Sequence, residues 1–135
     1  MRRGAARVPI FGRVYAHFGS YGTACLETGS GRVLWEWRDL PCDHFRGPGS
    51  SPVFYQGLLI LTMDGFDVQY LCALDKECGK TIRKTGRSYE FGSLDGDIRK
   101  AYSTPIIFRA GGEAQMERRA SGSRRRSAPR LRHRP

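Results

Sequence analysis

Two stretches of this chain, 48 residues apart, align without a gap. The first is Cys25-Leu26-Glu27-Thr28-Gly29-Ser30-Gly31-Arg32-Val33-Leu34-Trp35. The second is Ala73-Leu74-Asp75-Lys76-Glu77-Cys78-Gly79-Lys80-Thr81-Ile82-Arg83. Leu26 matches Leu74, Glu27 matches Asp75, Gly31 matches Gly79 and Leu34 matches Ile82. A repeat of this period is the mark of stacked or ring-forming units that cannot bury their apolar faces singly. Each copy reads as the end of one strand, a tight turn and the start of the next. The acidic residue opens the turn by accepting from the backbone two residues on. Gly31 and Gly79 supply the positive φ that closes it. Apolar alternation then resumes in Arg32 to Trp35 and in Lys80 to Ile82, which is the strand period.

Two cycles of strands follow from the same signals. Gly12 to Phe18, Thr23 to Thr28 and Arg32 to Arg38 are strands of the first cycle. Asp39 to Ser50 is a loop, because Pro41, Gly47, Pro48 and Gly49 exclude a central strand. In the second cycle Ser51 to Tyr55 and Leu58 to Thr62 flank a turn at Gln56-Gly57. Asp64 to Asp67 turns again, and Tyr70 to Asp75 and Lys80 to Thr85 complete the unit. Residues 86–102 read as a polar loop. Ser103-Thr104-Pro105-Ile106-Ile107-Phe108 repeats Ser50-Ser51-Pro52-Val53-Phe54 and opens a third cycle.

The repeat resembles the tryptophan-docking motif of pyrroloquinoline-quinone-type (PQQ-like) β-propellers, Ala-x-Asp-x-x-Thr-Gly-x-x-x-Trp. The second copy keeps Ala73, Asp75 and Gly79, with Cys78 for Thr and Arg83 for Trp. The first keeps Gly31 and Trp35, with Cys25 for Ala, Glu27 for Asp and Ser30 for Thr. The match runs over roughly residues 10 to 108. The resemblance implies an all-β fold: a partial propeller of about two four-stranded antiparallel blades plus the first strand of a third. It also implies that Trp35 docks on the neighbouring blade, which Arg83 cannot do in the same way. Members of this family include quinoprotein dehydrogenases, which hold PQQ and Ca²⁺ at the propeller's centre, and the outer-membrane assembly lipoprotein of β-propeller form, which binds no quinone. No residue here matches the dehydrogenases' cofactor ligands. No bound cofactor is therefore expected, with PQQ and Ca²⁺ the alternative. Relatives are commonly exported or periplasmic.

Charge and composition divide the chain into residues 1–8, a loose basic start, residues 9–109, the repeat-bearing part, and residues 110–135, a disordered Arg-rich tail. Of the net charge of +10, almost all lies at the two ends. A high isoelectric point is then no sign that the folded part binds nucleic acid. The tail is too poor in apolar residues to offset ordering entropy. Arg118, Arg119, Arg124, Arg125 and Arg126 suit non-specific contact with phosphates; no aromatic lies among them to stack on bases. Two readings compete for the abrupt change after Arg109: a functional basic tail, and a damaged reading frame in G+C-rich DNA. The second is favoured. No apolar run is long enough to span a membrane. Gly4 to Phe18 is no signal-peptide core, since Arg7, Arg13 and His17 interrupt it.

The remaining chemistry is sparse. Cys25, Cys42, Cys72 and Cys78 make no Cys-x-x-Cys, which argues against zinc. Cys25 and Cys72 read as small buried strand residues; a bridge between them is the other option. Asp95-Gly96-Asp97 with Asp64 or Asp67 offers oxygens of the kind Ca²⁺ takes, although Asp beside Gly is ordinarily a turn former. Asp43-His44 with Arg46 offers an acid–base pair, or simply a polar loop. The expectation is a non-enzymatic scaffold or protein-interaction module, a truncated or frame-damaged piece of a larger propeller. The alternatives are a fragment of a quinoprotein dehydrogenase and a basic nucleic-acid-associated protein. Its partners would be other blades or proteins, with self-association through unpaired faces.

Overall fold

The computed structural model describes residues 6–44, 47–86, 99–100 and 102–117. Ten strands and a single 3-10 turn at Gly19–Tyr21 are the elements formed by these residues. Strands β1 (Ala6–Ile10), β2 (Arg13–His17), β3 (Thr23–Glu27) and β4 (Val33–Trp37) form one antiparallel sheet in the order β1-β2-β3-β4. Strands β5 (Val53–Tyr55), β6 (Leu58–Asp64), β7 (Gln69–Asp75) and β8 (Thr81–Gly86) repeat that order in a second sheet. A third sheet holds β9 (Ile106–Ala110) and β10 (Glu113–Glu117). The expected all-β architecture, two four-stranded blades and the opening of a third, is what the chain forms.

The repeat extends to details the sequence did not display. Each first hairpin closes through two residues of positive φ: Phe11-Gly12, Gln56-Gly57 and Gly111-Gly112. That twist matches the right-handed twist of the flanking strands, so the three turns set the same register. In both complete blades a register shift falls at the same repeat position, between Cys25 and Leu26 and between Ala73 and Leu74. The extra residue kinks the strand just ahead of the repeat turn.

β6 shows why Leu58 to Leu61 is an unbroken apolar run. It lies between β5 and β7, and every residue from Leu59 to Asp64 is buried. The two blades share one core. Tyr15, Cys25 and Trp35 come from the first; Leu59, Leu61, Met63, Tyr70, Cys72 and Leu74 come from the second. Leu40 and Cys42, on the connecting loop, complete it. Third and second blades meet where the repeated Ser-x-Pro segments lie side by side: Ser50 Oγ donates to the Ser103 carbonyl (2.9 Å), and the Ser51 N–H donates to Thr104 Oγ1 (3.1 Å).

Two boundaries differ from the sequence reading. β1 starts at Ala6, inside the stretch expected to be loose. It is an edge strand, where Pro9 is tolerated because no neighbour needs its missing N–H. The third blade also does not stop at Arg109. Gly111-Gly112 turns the chain into β10, whose Ala114 and Met116 alternate with Glu113, Gln115 and Glu117. Met116 is buried. Among the described residues all four cysteines are free, so Cys25 and Cys72 are not bridged.

Candidate functional site: the junction between blades

The β7–β8 turn is held open toward the first blade by its own backbone. Asp75 Oδ1 accepts from the N–H groups of Glu77 (2.7 Å) and Cys78 (3.1 Å). Those two bonds hold its carboxyl below the usual carboxylate range. The Gly79 N–H donates to the Asp75 carbonyl (2.8 Å), and Gly79 takes φ +75°. That geometry leaves the outer face of Gly79 bare, and the indole of Trp35 lies on it. A Cβ at Gly79 would stand 2.4 Å from Trp35 Cε3. Trp35 Nε1 donates to the Lys76 carbonyl at 2.9 Å. The Tyr15 hydroxyl approaches the same carbonyl at 3.4 Å, with the Tyr15 and Trp35 rings 5.9 Å apart.

Polar contacts frame the indole. Arg13 Nη1 meets Glu77 Oε2 at 2.7 Å. Trp37 Nε1 donates to Thr81 Oγ1 at 3.2 Å. The junction therefore reads four positions of the second blade, Lys76, Glu77, Gly79 and Thr81, with four side chains of the first. Of the repeat residues singled out in the sequence, Trp35, Gly79 and Asp75 work together here. Cys25 and Ala73 lie one strand behind, opposite Trp35 and Arg83 respectively. Glu27 and Gly31 shape the equivalent turn of the first blade: Ser30 Oγ donates to Glu27, and the Gly31 N–H donates to the Glu27 carbonyl at 2.8 Å.

A second, buried polar cluster lies where the Leu40–His44 stretch crosses between blades. His17, 1% exposed, holds Thr23 Oγ1 against its Nδ1 at 2.9 Å. Its Nε2 has no hydrogen-bond partner among the described residues, and the same holds for Nε2 of His44. Burial, with help from nearby His44, brings the His17 pKa down to about 4. Burial and the charge of Lys100 lower that of His44. Lys100 is itself buried and donates to the Gly47 carbonyl. Burial pushes the Cys42 thiol up to about 12. Sequence reading passed over His17 and Lys100, because their neighbours come from segments far apart in the chain and no local motif announces them.

The other expected sites separate. Asp43 and His44 do not form an acid–base pair: His44 Nδ1 faces Cys42 Sγ at 3.8 Å, and Arg46 lies outside the described residues. Asp67 uses one carboxylate oxygen to accept from the N–H groups of Asp43 and Val68, both at 2.8 Å. Burial alone would raise its pKa, but these bonds bring it below the usual value. Asp64 is buried on β6. Asp95, Asp97 and Arg118, Arg119, Arg124, Arg125 and Arg126 also lie outside the described residues. Among the described residues no three of His, Cys, Asp and Glu come together in a way that holds a metal.

Four-stranded antiparallel meanders that repeat about one interface are blades, and the fold is a partial β-propeller. Solved structures agree. The chain is similar to BamB from Moraxella catarrhalis, with a TM-score of 0.55 at 17% identity over 93% of this chain and 39% of that one. It is similar also to the quinohemoprotein alcohol dehydrogenase from Comamonas testosteroni, with a TM-score of 0.53 at 17% identity over 95% of this chain and 21% of that one. The chain thus spans well under half the length of either. At this identity the likeness shows the fold. No protein-family model matches the sequence, and no curated protein matches it. No helix among the described residues is long and apolar enough to cross a membrane.

Proposed function

We propose that this chain is a non-enzymatic PQQ-like blade module, a scaffold or protein-interaction piece of a larger propeller. The observation that carries the reading is the junction at Trp35. Four side chains of the first blade, Arg13, Tyr15, Trp35 and Trp37, make hydrogen bonds to the neighbouring blade. A blade built this way supplies a surface for the next blade or for a partner, and similarity to BamB is compatible with such use. Similarity to the quinohemoprotein alcohol dehydrogenase supports the rival reading, a piece of a PQQ- and Ca²⁺-dependent enzyme.

The test is direct. Purified chain is titrated with PQQ and Ca²⁺ in the presence of a dye acceptor and simple alcohols. No turnover above the protein-free rate is the expected result. Saturable, protein-dependent dye reduction would overturn the scaffold reading and favour the rival. The DNA flanking the reading frame bears on the finer proposal of truncation or frame damage. Further copies of the repeat in another frame, downstream of the codon for Glu117, are expected; their absence counts against frame damage.

A further inference from the structure

The Leu40–His44 stretch is fastened to the two blades by different chemistry. Toward the second blade it is held by ordinary hydrogen bonds. The Tyr70 hydroxyl donates to the Pro41 carbonyl (3.0 Å) and the Phe66 N–H to the Asp43 carbonyl (2.6 Å). The Asp43 N–H donates to Asp67 Oδ1 (2.8 Å). Toward the first blade the contact is an imidazole. The His44 ring lies against Gly19, which opens the Gly19–Tyr21 turn between β2 and β3; a Cβ at Gly19 would stand 2.5 Å from His44 Cδ2. His17 ends β2 just before that turn.

A proton on His17 has nowhere to be answered. The side chain is buried, its Nδ1 is already bonded to Thr23 Oγ1, and its Nε2 has no partner among the described residues. An imidazolium carries two N–H donors, so protonation leaves one buried donor and one charge uncompensated. The ionisable group that faces His17 is His44, a second base. Around His44 the charges are mixed. Burial and Lys100 oppose its charged form, whereas the Asp64 backbone and the Asp64 and Asp67 carboxylates favour it; the opposing pair prevails. Cys42 Sγ, 3.8 Å from His44 Nδ1, stays un-ionised, since burial pushes that thiol up to about 12. Counted from the hairpin glycines Gly12 and Gly57, the second blade has Thr62 where the first has His17, and a hydroxyl takes up no proton.

We infer that His17 and the His44 ring seated on Gly19 form an acid-released latch between the first blade and the Leu40–His44 stretch. Proton uptake at His17 drives His44 off the Gly19–Tyr21 turn, while the bonds to Tyr70, Phe66 and Asp67 keep the stretch on the second blade. Burial would raise the Asp67 pKa, but its backbone N–H donors bring it below the usual value, so that anchor keeps its charge as pH falls. The latch itself has the opposite response. Burial, then the charge of His44, sets the folded His17 pKa at about 4, below its ordinary 6.5. The closed form is therefore at full strength above pH 6.5 and weakens as pH drops toward 4. This regulation goes beyond the scaffold reading and does not depend on it.

The experiment labels the thiols of the full chain with 4,4′-dithiodipyridine, which reacts in acid, at stepped pH from about 7 down to about 4.5. The rate at Cys42, on the latched stretch, is divided by the rate at Cys72 in β7. Burial raises both thiols to about 12, so the intrinsic pH dependence of thiol attack cancels in the ratio. Below pH 6.5 the ratio is expected to rise by about tenfold per pH unit, the change for one proton taken up on opening. His17→Gln is expected to leave the ratio nearly independent of pH, because its amide does not titrate. A flat ratio in the parent chain, which includes the case of the whole chain unfolding in acid, overturns the proposal. So does an undiminished rise in His17→Gln. Where His17→Gln does not fold, His44→Ala takes its place and removes the ring from Gly19. The ratio is then expected to be high already at about pH 7 and to vary little in acid; a low ratio that climbs as in the parent chain overturns the latch.

Discussion

Gly31→Ala and Gly79→Ala make the same chemical change at the same repeat position, yet the structure predicts different costs. Both glycines have positive φ, and an alanine forced into that region costs about 1–2 kcal/mol. Part of this is offset by the stiffer unfolded chain, worth about 0.4–1 kcal/mol. Gly31→Ala meets open space and should stop there, at about 1 kcal/mol. Gly79→Ala would put Cβ 2.4 Å from Trp35 Cε3, so the indole must move off the turn. Displacing it loses the Nε1 hydrogen bond to Lys76, about 1 kcal/mol. It also loses part of the burial whose complete removal by Trp→Ala costs about 3–5 kcal/mol. The extra cost is then about 2–3 kcal/mol. Amide exchange across β4 and the β7–β8 turn reads it without requiring the whole chain to unfold in one step. Protection should fall about 30- to 150-fold further for Gly79→Ala than for Gly31→Ala, at tenfold for each 1.4 kcal/mol. In a Trp35→Ala background the two substitutions should cost the same, because the clash has gone. Equal costs in the parent chain, or an undiminished difference in the Trp35→Ala background, would refute the docking geometry.

His17 makes stability depend on pH. Its folded pKa of about 4 lies below the ordinary 6.5, so the unfolded chain binds more protons between these values. Stability is complete above pH 6.5 and falls as pH drops toward 4, by on the order of 3 kcal/mol for a shift of this size; His17→Gln should flatten that slope in urea titrations at stepped pH. Phe11 is 99% exposed at φ +46°, so Phe11→Asn should stabilise the first hairpin by about 1 kcal/mol, seen as slower exchange in β1 and β2. Affinity for DNA or RNA, measured by fluorescence anisotropy, should be weak, fall steeply with salt, and vanish in a chain ending at Glu117; retained affinity would implicate the blades. Open apolar positions such as Ile82 (60% exposed) and Ile106 (68%) should make the untagged chain self-associate or unfold gradually. A compact monomer with one sharp, reversible melt in sedimentation and thermal scans would count against a partial ring.

The fold was legible because its signals are local. Gly31, Gly79 and the paired acidic residues marked the turns, and Leu58 to Thr62 marked the strand that proves to be buried. The alternation in Glu113 to Glu117 was too short and too charged to stand out beside the Arg-rich tail. Pro9 hid β1, since a proline counts against a strand unless the strand is known to be an edge. The receiving half of the junction was only half visible. Trp35 announced a docking residue, but Lys76 contributes its carbonyl, which any residue type would supply. The His17–His44 cluster had no sequence signal: His17 lies on β2, His44 on a loop and Lys100 beyond the second blade, and only the packed chain joins them.

The four free thiols give the molecule a built-in stopwatch. Cys78 is exposed on the β7–β8 turn, while Cys25, Cys42 and Cys72 are buried in the first blade, the connecting loop and the second blade. Burial raises the Cys42 and Cys72 pKa to about 12, so neither reacts as thiolate while closed. A thiol reagent in pulses would label Cys78 at once and each of the others only when its own part opens. The order in which the three slow labels arrive would show whether the blades part from one another before either comes undone.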